Sequence, residues 1–368
     1  MASIPQPNPP WAVISAWVAV DAGAVSEQER HRVAAVGWPR AAHAEYVRVP
    51  DGAWGVVAAY GAVSKNDLIE RRFSMIISIA SGKGGTGKTT VATNLARSMG
   101  SNVQLLDCDV EEPNAHLFLH PEIRETEKVI APVPEIDAAK CTHCKKCMDI
   151  CRFNAIAVVA KSVVTFPELC HSCGGCMAIC PEEAVREKER VLGVIERGWI
   201  PEDKNAPDQK DKIRFTRGLM DIGQVMAPPI IKQVRTHADP EKINIIDAPP
   251  GTSCPVITAM KGADFVVLVT EPTPFGLHDL TLAVEAVKLL GLAHGIIINR
   301  AGMGDDRVKT YAERENIPVL MEIPFDRRIA EAYSRGELMI SALPEYREQF
   351  SGLWEQIQKM AAERSAVQ

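Results

Sequence analysis

The chain has 368 residues, an apolar fraction of 46%, a charged fraction of 24% and a formal net charge of −6. This length allows two or three domains, and the composition is typical of a globular protein. The mild acidity and the lack of any Lys/Arg block argue against nucleic acid as a partner. No apolar run reaches the ~18 residues that span a bilayer, so stable membrane insertion is not expected. The apolar stretch 11–24 has no basic residue before it, which favours a cytoplasmic protein over a secreted one.

The first 74 residues hold four of the six tryptophans and no motif that indicates a function. We interpret 1–74 as an N-terminal extension of unknown role. A new composition begins at Met75, where an apolar run over 76–80 predicts a strand. A glycine-rich loop and a helical pattern over 88–99 follow, and then "NVQLLDCD" predicts a second strand that ends in acidic residues.

The later part of the chain alternates short apolar runs with helical stretches. The runs 243–251, 264–272 and 294–300 predict strands, and 278–290 and 305–315 predict helices. Near-continuous Val/Ile/Leu strands that alternate with helices indicate a mostly parallel sheet covered by helices on both faces. The sequence therefore predicts an α/β ATPase domain in two parts, 75–134 and 187–368, with the segment 135–186 inserted between them.

The stretch "GKGGTGKTT" carries the most specific single motif. Gly82, Gly87, Lys88 and Thr89 fit G-x-x-x-x-G-K-[ST] between a predicted strand and a predicted helix, which a chance glycine turn would not require. Backbone N–H groups of such a loop close around phosphate oxygens, the lysine reaches the β/γ-phosphates and the Thr89 hydroxyl binds Mg²⁺. The predicted ATP-binding residues of the loop are Gly82, Gly84, Gly85, Thr86, Gly87, Lys88, Thr89 and Thr90.

Eight of the ten cysteines lie in two runs with the same spacing, C-x2-C-x2-C-x3-C. Their crowding argues against a disulfide framework, and zinc ribbons leave longer gaps between CxxC pairs. The spacing is that of two-cluster bacterial ferredoxins, in which the fourth cysteine of each run ligates the other cluster. Two [4Fe–4S] clusters are therefore predicted, one on a first cysteine set (Cys141, Cys144, Cys147 and Cys180) and one on a second cysteine set (Cys151, Cys170, Cys173 and Cys176).

A second lysine inside the phosphate loop, Lys83, resembles the deviant loop of the family that contains MinD, ParA and the nitrogenase iron protein. The resemblance implies that Lys83 touches the ATP of a partner chain in an ATP-dependent homodimer, and that Asp109 positions the attacking water. It also places Asp247 on Mg²⁺ through water. Further residues fall where this family contacts phosphate or adenine: Asn114, Gly251, Asn299, Arg300, Pro324 and Asp326. Singly, Asp107 and Asp247 could simply end strands, and Asn299 could belong to a turn.

Together these motifs resemble MinD-superfamily P-loop ATPases, related to Mrp-type ATPases, that carry an inserted two-cluster ferredoxin domain of small α+β fold. The resemblance implies catalytic roles for Lys83, Lys88, Asp109 and Asp247. It implies an ATP-hydrolysing protein that couples nucleotide state to electron transfer with an unidentified partner. Lys145 and Lys146 form a basic spot that could dock an acidic electron carrier or could simply face solvent.

Two other functions stay open. An iron–sulfur assembly carrier of this superfamily holds a labile cluster on few exposed cysteines. Cys254 lies seven residues after Asp247, a spacing that resembles that of a cluster ligand in the nitrogenase iron protein, so it could take part in a third cluster that bridges two subunits. A buried small residue at a helix start is the simpler interpretation. A MinD/ParA-like positioning or regulatory ATPase with a redox-sensing ferredoxin would end in a basic amphipathic helix. Here the charges of the final helix nearly cancel, so a helix that packs on the core is predicted.

Overall fold

The computed structural model describes residues 45–48, 54–57, 75–100, 102–201 and 213–365. In the N-terminal region, β1 (Glu45–Arg48) pairs antiparallel with β2 (Trp54–Val57). The rest of the extension predicted over 1–74 lies outside the described residues. Within the described ranges, no helix combines the length and the apolar character that crossing a membrane would need.

Within the described ranges, nine strands form the central sheet in the order β13-β12-β11-β3-β10-β4-β9-β8-β5. All pairings from β13 to β9 are parallel, whereas β9–β8 and β8–β5 are antiparallel. The sheet strands are β3 (Met75–Ala80), β4 (Val103–Asp107), β5 (Glu122–Ile136), β8 (Val185–Ile200), β9 (Ile213–Met220), β10 (Ile243–Asp247), β11 (Phe265–Thr270), β12 (His294–Ala301) and β13 (Val319–Pro324). A separate hairpin joins β6 (Ile156–Val159) to β7 (Ser162–Thr165).

The helices are short to medium in length, and two 3₁₀ turns, Pro167–Leu169 and Pro344–Tyr346, accompany them. They are α1 (Lys88–Met99), α2 (His116–Leu119), α3 (Lys146–Ile150), α4 (Gly175–Ala178), α5 (Ala227–Thr236), α6 (Cys254–Met260), α7 (Pro274–Leu289), α8 (Arg307–Arg314), α9 (Arg327–Ser334), α10 (Met339–Ala342) and α11 (Arg347–Ser365).

The apolar strands are buried on both faces, as the sequence predicts. Every residue of β11 is buried, because one hydrophobic cluster fills each side of the sheet. Residues of α1 and α11 contribute to one cluster, and α5, α6, α7 and α8 contribute to the other. Phe350, Leu353 and Ile357 of α11 are fully buried, which confirms that the final helix packs on the core.

A long antiparallel ribbon, formed by β5 and β8, is the main difference from the sequence-based expectation. The sequence analysis predicted an α/β ATPase domain interrupted by the segment 135–186, with no strand pairing between the residues on either side of that segment. Instead β5 pairs with β8 along its whole length, from Glu122↔Trp199 to Ile136↔Val185. Pro132 and Pro134 are compatible with this position, because β5 is the edge strand of the sheet.

The ribbon extends beyond the carboxyl edge of the parallel strands. Met220 ends β9 at that edge and pairs with Gly193, so residues 185–192 of β8 continue past it with their β5 partners. At about 3.3 Å per residue, this outer part of the ribbon spans roughly 25 Å. Residues 137–184, here called the cysteine module, are carried at its tip.

Candidate functional site

The glycine-rich loop lies at the carboxyl edge of the sheet, between β3 and α1. Gly85 (φ +76°) and Gly87 (φ +97°) adopt left-handed backbone conformations that are costly for other residues. Helix α1 begins directly at Lys88, so the first N–H groups of the helix point into the loop. Strand, loop and helix therefore stand in the order that phosphate binding requires.

Asn299 fixes this loop from the end of β12. Its Nδ2 donates a hydrogen bond of 2.7 Å to the Thr86 carbonyl oxygen. A Cβ atom at Gly87 would clash with the same amide nitrogen. The side chain of Asn299 thus braces the loop and explains why residue 87 has no side chain.

Asp247 and Asp109 lie near Lys88 and act on its charge, and Asp107 lies beside Asp247. Asp107 and Asp247 are paired neighbours at the ends of β4 and β10, and both are fully buried. Neither carboxylate oxygen of Asp247 has a hydrogen-bond partner among the described residues. The Thr89 hydroxyl lies near enough to lower the pKa of Asp247 but does not meet hydrogen-bond geometry. A buried carboxylate without partners, beside the motif threonine, suits a hydrated Mg²⁺ ion.

Burial dominates the ionisation of these groups. It raises the pKa of Asp247 to about 7 and that of Asp109 to about 6, although Lys88 opposes both shifts. Burial lowers the pKa of Lys88, and Asp247 and Asp109 counteract that effect. The cluster holds more negative than positive charge, so bound cations would stabilise it.

Asp107 has a structural task in the turn that follows β4. Its oxygens accept hydrogen bonds from the N–H groups of Asp109 (3.2 Å) and Ala115 (3.1 Å). The carboxylate of Asp109 lies near the N–H group of Glu112, which lowers its pKa against the larger effect of burial. Asn114 is half-buried in the same turn, and Gly251 (φ +96°) donates its N–H to the Ser81 carbonyl at 3.0 Å.

Lys83 is held by a residue that the sequence analysis missed. Its Nζ lies 3.0 Å from one oxygen of Glu271, and Arg300 Nη1 lies 2.6 Å from the other. The Glu271 side chain is only 7% exposed. Glu271 follows β11 directly, just as Asp107 and Asp247 end their own strands. An acidic residue at the end of a predicted strand was therefore the sequence signal that could have identified it.

The residues expected at adenine are brought to the same edge but have partners within the chain. Asn299 and Arg300 end β12 with the contacts given above, and Pro324 ends β13. Asp326 caps α9 by accepting the N–H of Arg328 at 2.8 Å and also pairs with the guanidinium of Arg328.

A model of the CobQ/CobB/MinD/ParA nucleotide binding domain matches residues 77–339. The chain belongs to this family. An uncharacterized protein of Methanocaldococcus jannaschii is 30% identical over 268 residues, which cover 72% of this chain and 90% of the relative. An iron–sulfur cluster carrier protein of Pyrococcus abyssi is 25% identical, with 73% and 79% covered. The septum site-determining protein MinD of Pyrococcus horikoshii, complexed with Mg-ADP, aligns with a TM-score of 0.47 and 24% identity over 78% of this chain and 98% of its own.

The cysteine module brings the eight clustered cysteines together in two groups. One cavity is lined by Cys151, Cys170, Cys173 and Cys176, and a second cavity by Cys141, Cys144, Cys147 and Cys180. These are the second and first cysteine sets defined from the spacing. The cavity of the second set touches the ribbon at residues 132–134, whereas that of the first set touches it at Ile136 and Val185, farther out.

Backbone N–H groups point at sulfur atoms in both halves of the module. The N–H groups of Ala155 and Ala184 each donate to a cysteine Sγ at 3.3 Å, the former to Cys151 and the latter to Cys180. Within the described part of the chain, no three His, Cys, Asp or Glu side chains converge closely enough to hold a single metal ion. The sulfurs of each set instead surround a cavity.

The two remaining cysteines differ from each other. Cys108 is fully buried, and burial raises the pKa of its thiol far above the ordinary value. Cys254 does begin helix α6, but it is exposed, so the expectation of a buried residue is wrong. The buried face of this helix is taken by Val256, Ala259 and Met260, which lie on the side opposite its first residue.

The turn after β4 contacts the base of the ribbon. The Met220 N–H donates a hydrogen bond of 2.9 Å to the Val110 carbonyl oxygen. The Asp221 N–H donates one of 2.9 Å to the carbonyl oxygen of Leu192 on β8. Val110, Leu192 and Ile195 also belong to one buried hydrophobic cluster. The carboxyl edge of the sheet that carries the phosphate loop, here called the nucleotide edge, is therefore linked to the ribbon through the end of β9.

Proposed function

We propose that this protein hydrolyses ATP and couples its nucleotide state to electron transfer through two [4Fe–4S] clusters bound by the cysteine module. The observation that carries the proposal is the separation of the eight cysteines into two cavities, each lined by four. The module stands on a ribbon that leaves the same edge of the sheet as the phosphate loop. The proposal includes the domain boundaries: an ATPase domain in two parts, 75–134 and 187–368, and an inserted ferredoxin domain over 135–186.

The nucleotide edge offers the groups that ATP hydrolysis needs. Lys88 and the loop N–H groups would hold the phosphates, and Thr89 with the water-bridged Asp247 would hold Mg²⁺. Asp109, whose pKa is raised by burial, would orient a water molecule. Lys83 would leave Glu271 to reach the nucleotide of a second chain, which makes an ATP-dependent homodimer part of the proposal.

The cysteine module fits iron–sulfur clusters better than single metal ions. A [4Fe–4S] cube is larger than one ion, so its four thiolates surround it at a distance from one another. The lack of a single-ion site among the described residues is compatible with this geometry. N–H groups that point at ligand sulfurs stabilise the reduced cluster, whose chemistry is one-electron transfer.

Iron counting under anaerobic conditions tests the proposal. We expect about eight iron atoms per chain, lost on exposure to air. The same preparation should hydrolyse ATP. Zinc in place of iron, or about four iron atoms in a fully folded sample, would contradict the two-cluster assignment.

A cluster-carrier function is the second candidate, because relatives named as iron–sulfur cluster carrier and assembly proteins align over most of the chain. The exposed Cys254 beside Gly251 at the nucleotide edge is compatible with it. A carrier should pass iron to an apo-ferredoxin while the iron bound by the eight module cysteines stays in place. Transfer that disappears in Cys254→Ser, with module iron unchanged, would favour this function.

A further inference from the structure

The two halves of the cysteine module are an internal repeat with one clear difference in charge. The cavity of the second cysteine set has no Lys, Arg, Asp or Glu in its lining. The cavity of the first set is lined by Lys145 and Lys146 and by one acidic residue, Glu182. Lys140 precedes the first cysteine of the same set and adds a further positive charge.

Lys145 occupies a backbone position where the other half of the module has glycine. Lys145 precedes α3 with φ +66°, and Gly174 precedes α4 with φ +72°. Glycine adopts this left-handed conformation without strain, whereas a lysine does not. The chain thus keeps a charged side chain at a position that its own repeat fills with glycine, and the side chain adds to the charge difference between the two cavities.

The three lysines are available to a partner. Lys140, Lys145 and Lys146 are exposed, and their ammonium groups form no ion pair with any residue in the described ranges. Cys144 of the first set is also exposed between them. The cationic surface therefore lies directly over one cysteine set, at the end of the ribbon farther from the nucleotide edge.

We propose that this surface, Lys140, Lys145 and Lys146, docks an acidic electron-transfer protein, and that the first cysteine set is the point where electrons enter or leave. The inference rests on the proposed two-cluster function. When the carrier donates, one of its clusters goes from [4Fe–4S]⁺ to [4Fe–4S]²⁺, and the cluster on the first set goes from [4Fe–4S]²⁺ to [4Fe–4S]⁺. Only an electron moves. The second set, nearer the nucleotide edge, is the next acceptor.

The test uses the anaerobically prepared full chain and a purified, acidic two-[4Fe–4S] bacterial ferredoxin as the probe. The variant is Lys145→Gly with Lys146→Gln, in which the glycine copies Gly174 and so keeps the fold. The control is Lys261→Gln with Lys359→Gln, which removes the same charge from exposed positions outside the cysteine module. Calorimetry with oxidised ferredoxin measures binding without electron flow, and stopped-flow absorbance with reduced ferredoxin measures the transfer rate.

We expect the Lys145/Lys146 variant to bind and to accept electrons at least about tenfold more weakly at low salt, and to lose most of the salt dependence of wild type. The control should stay within about twofold of wild type, because charges outside the contact act weakly. Equal losses in both variants, or none in either, would overturn the docking surface. A wild type with about eight iron atoms that does not bind the ferredoxin would overturn it too. A wild type without iron would instead contradict the proposed function.

Discussion

Gly87 shows how closely the phosphate loop is fitted to its neighbours. Its backbone is left-handed, and its Cα faces the amide of Asn299, which in turn holds the carbonyl of Thr86. The loop is thus fixed both by its own conformation and by a strand more than two hundred residues later in the chain.

Gly87→Ala should weaken nucleotide binding at least tenfold. The left-handed conformation costs a non-glycine residue about 1–2 kcal/mol, and the new methyl group must also displace Asn299. Calorimetry with a non-hydrolysable ATP analogue measures the effect. The matched control is Gly352→Ala in α11, where no atom lies within 4 Å of the added carbon. That change should stabilise the protein by about 0.5–1 kcal/mol, and unchanged binding in Gly87→Ala would contradict the loop assignment.

The two loop lysines should separate binding from turnover. Lys88→Ala removes the buried charge beside Asp247 and Asp109, so nucleotide affinity should fall strongly. Lys83→Ala should largely spare affinity but abolish hydrolysis and ATP-dependent dimerisation, measured by turnover and light scattering. If both variants lose affinity equally, the action of Lys83 on a partner's nucleotide is not supported.

Among the elements, β9 links the turn after β4 to the ribbon. Gly218 of β9 allows this contact, because a Cβ atom there would lie 2.7 Å from Val110 Cγ1 and 2.8 Å from Ile230 Cγ2. Val110 directly follows Asp109, so crowding at Gly218 acts on the residue proposed to orient water.

Gly218→Ala should destabilise the fold by about 1–3 kcal/mol, the usual cost of overpacking, and should lower the hydrolysis rate. Chemical denaturation and a turnover assay measure the two effects. The paired change Val110→Ala creates room for the new methyl group, so the double variant should recover part of both losses. If neither substitution changes the hydrolysis rate, the contact between Gly218 and Val110 does not affect the nucleotide site.

The grouping of the cysteines in the module predicts which of them bind the same cluster. Cys141→Ser with Cys180→Ser damages only the first cysteine set and should leave about four iron atoms per chain. Cys141→Ser with Cys151→Ser damages both sets and should leave almost none. Iron assays on anaerobic samples, with circular dichroism to confirm folding, distinguish the two. The reverse result, almost no iron in the Cys141/Cys180 variant and about four atoms in the Cys141/Cys151 variant, would mean that each run binds its own cluster without the crossed fourth ligand.

At the scale of the whole molecule, the nucleotide edge and the module are joined by a two-stranded ribbon and the contacts at its base. Coupling between two sites must be reciprocal, because each ligand biases the same element. A tenfold difference in ATP affinity between oxidised and reduced protein corresponds to about 59 mV for a one-electron couple.

We therefore expect ATP to change the cluster midpoint potential by at least about 30 mV. Redox titration of Asp109→Ala with and without ATP measures the change, because this variant should bind nucleotide without consuming it. The same titration with ADP serves as a control for the γ-phosphate. Identical midpoints, together with an ATPase rate that reductant does not alter, would show that the two parts merely share a chain.

The sequence by itself determined the features that rest on local spacing. In the loop 82–89 and in the run 141–151, the binding groups come from residues that are close together in the chain. The residue types and the gaps between them therefore predict the chemistry. The alternation of buried strands and helices was equally visible, because strands covered on both faces are almost entirely apolar. The predicted strand 76–80 and helix 88–99 agree with β3 and α1 to within one residue.

Only the tertiary structure decided how these parts meet. The ribbon strands are charged and proline-containing, and they pair across about fifty residues of intervening chain, so no local pattern identified them. That pairing carried the first cysteine set to the tip, and the parallel pairing of β11 with β3 and β12 brought Glu271 between Lys83 and Arg300. Cys254 was misjudged for a related reason: the packing of neighbouring elements, rather than residue type, decides which side of a helix start is buried.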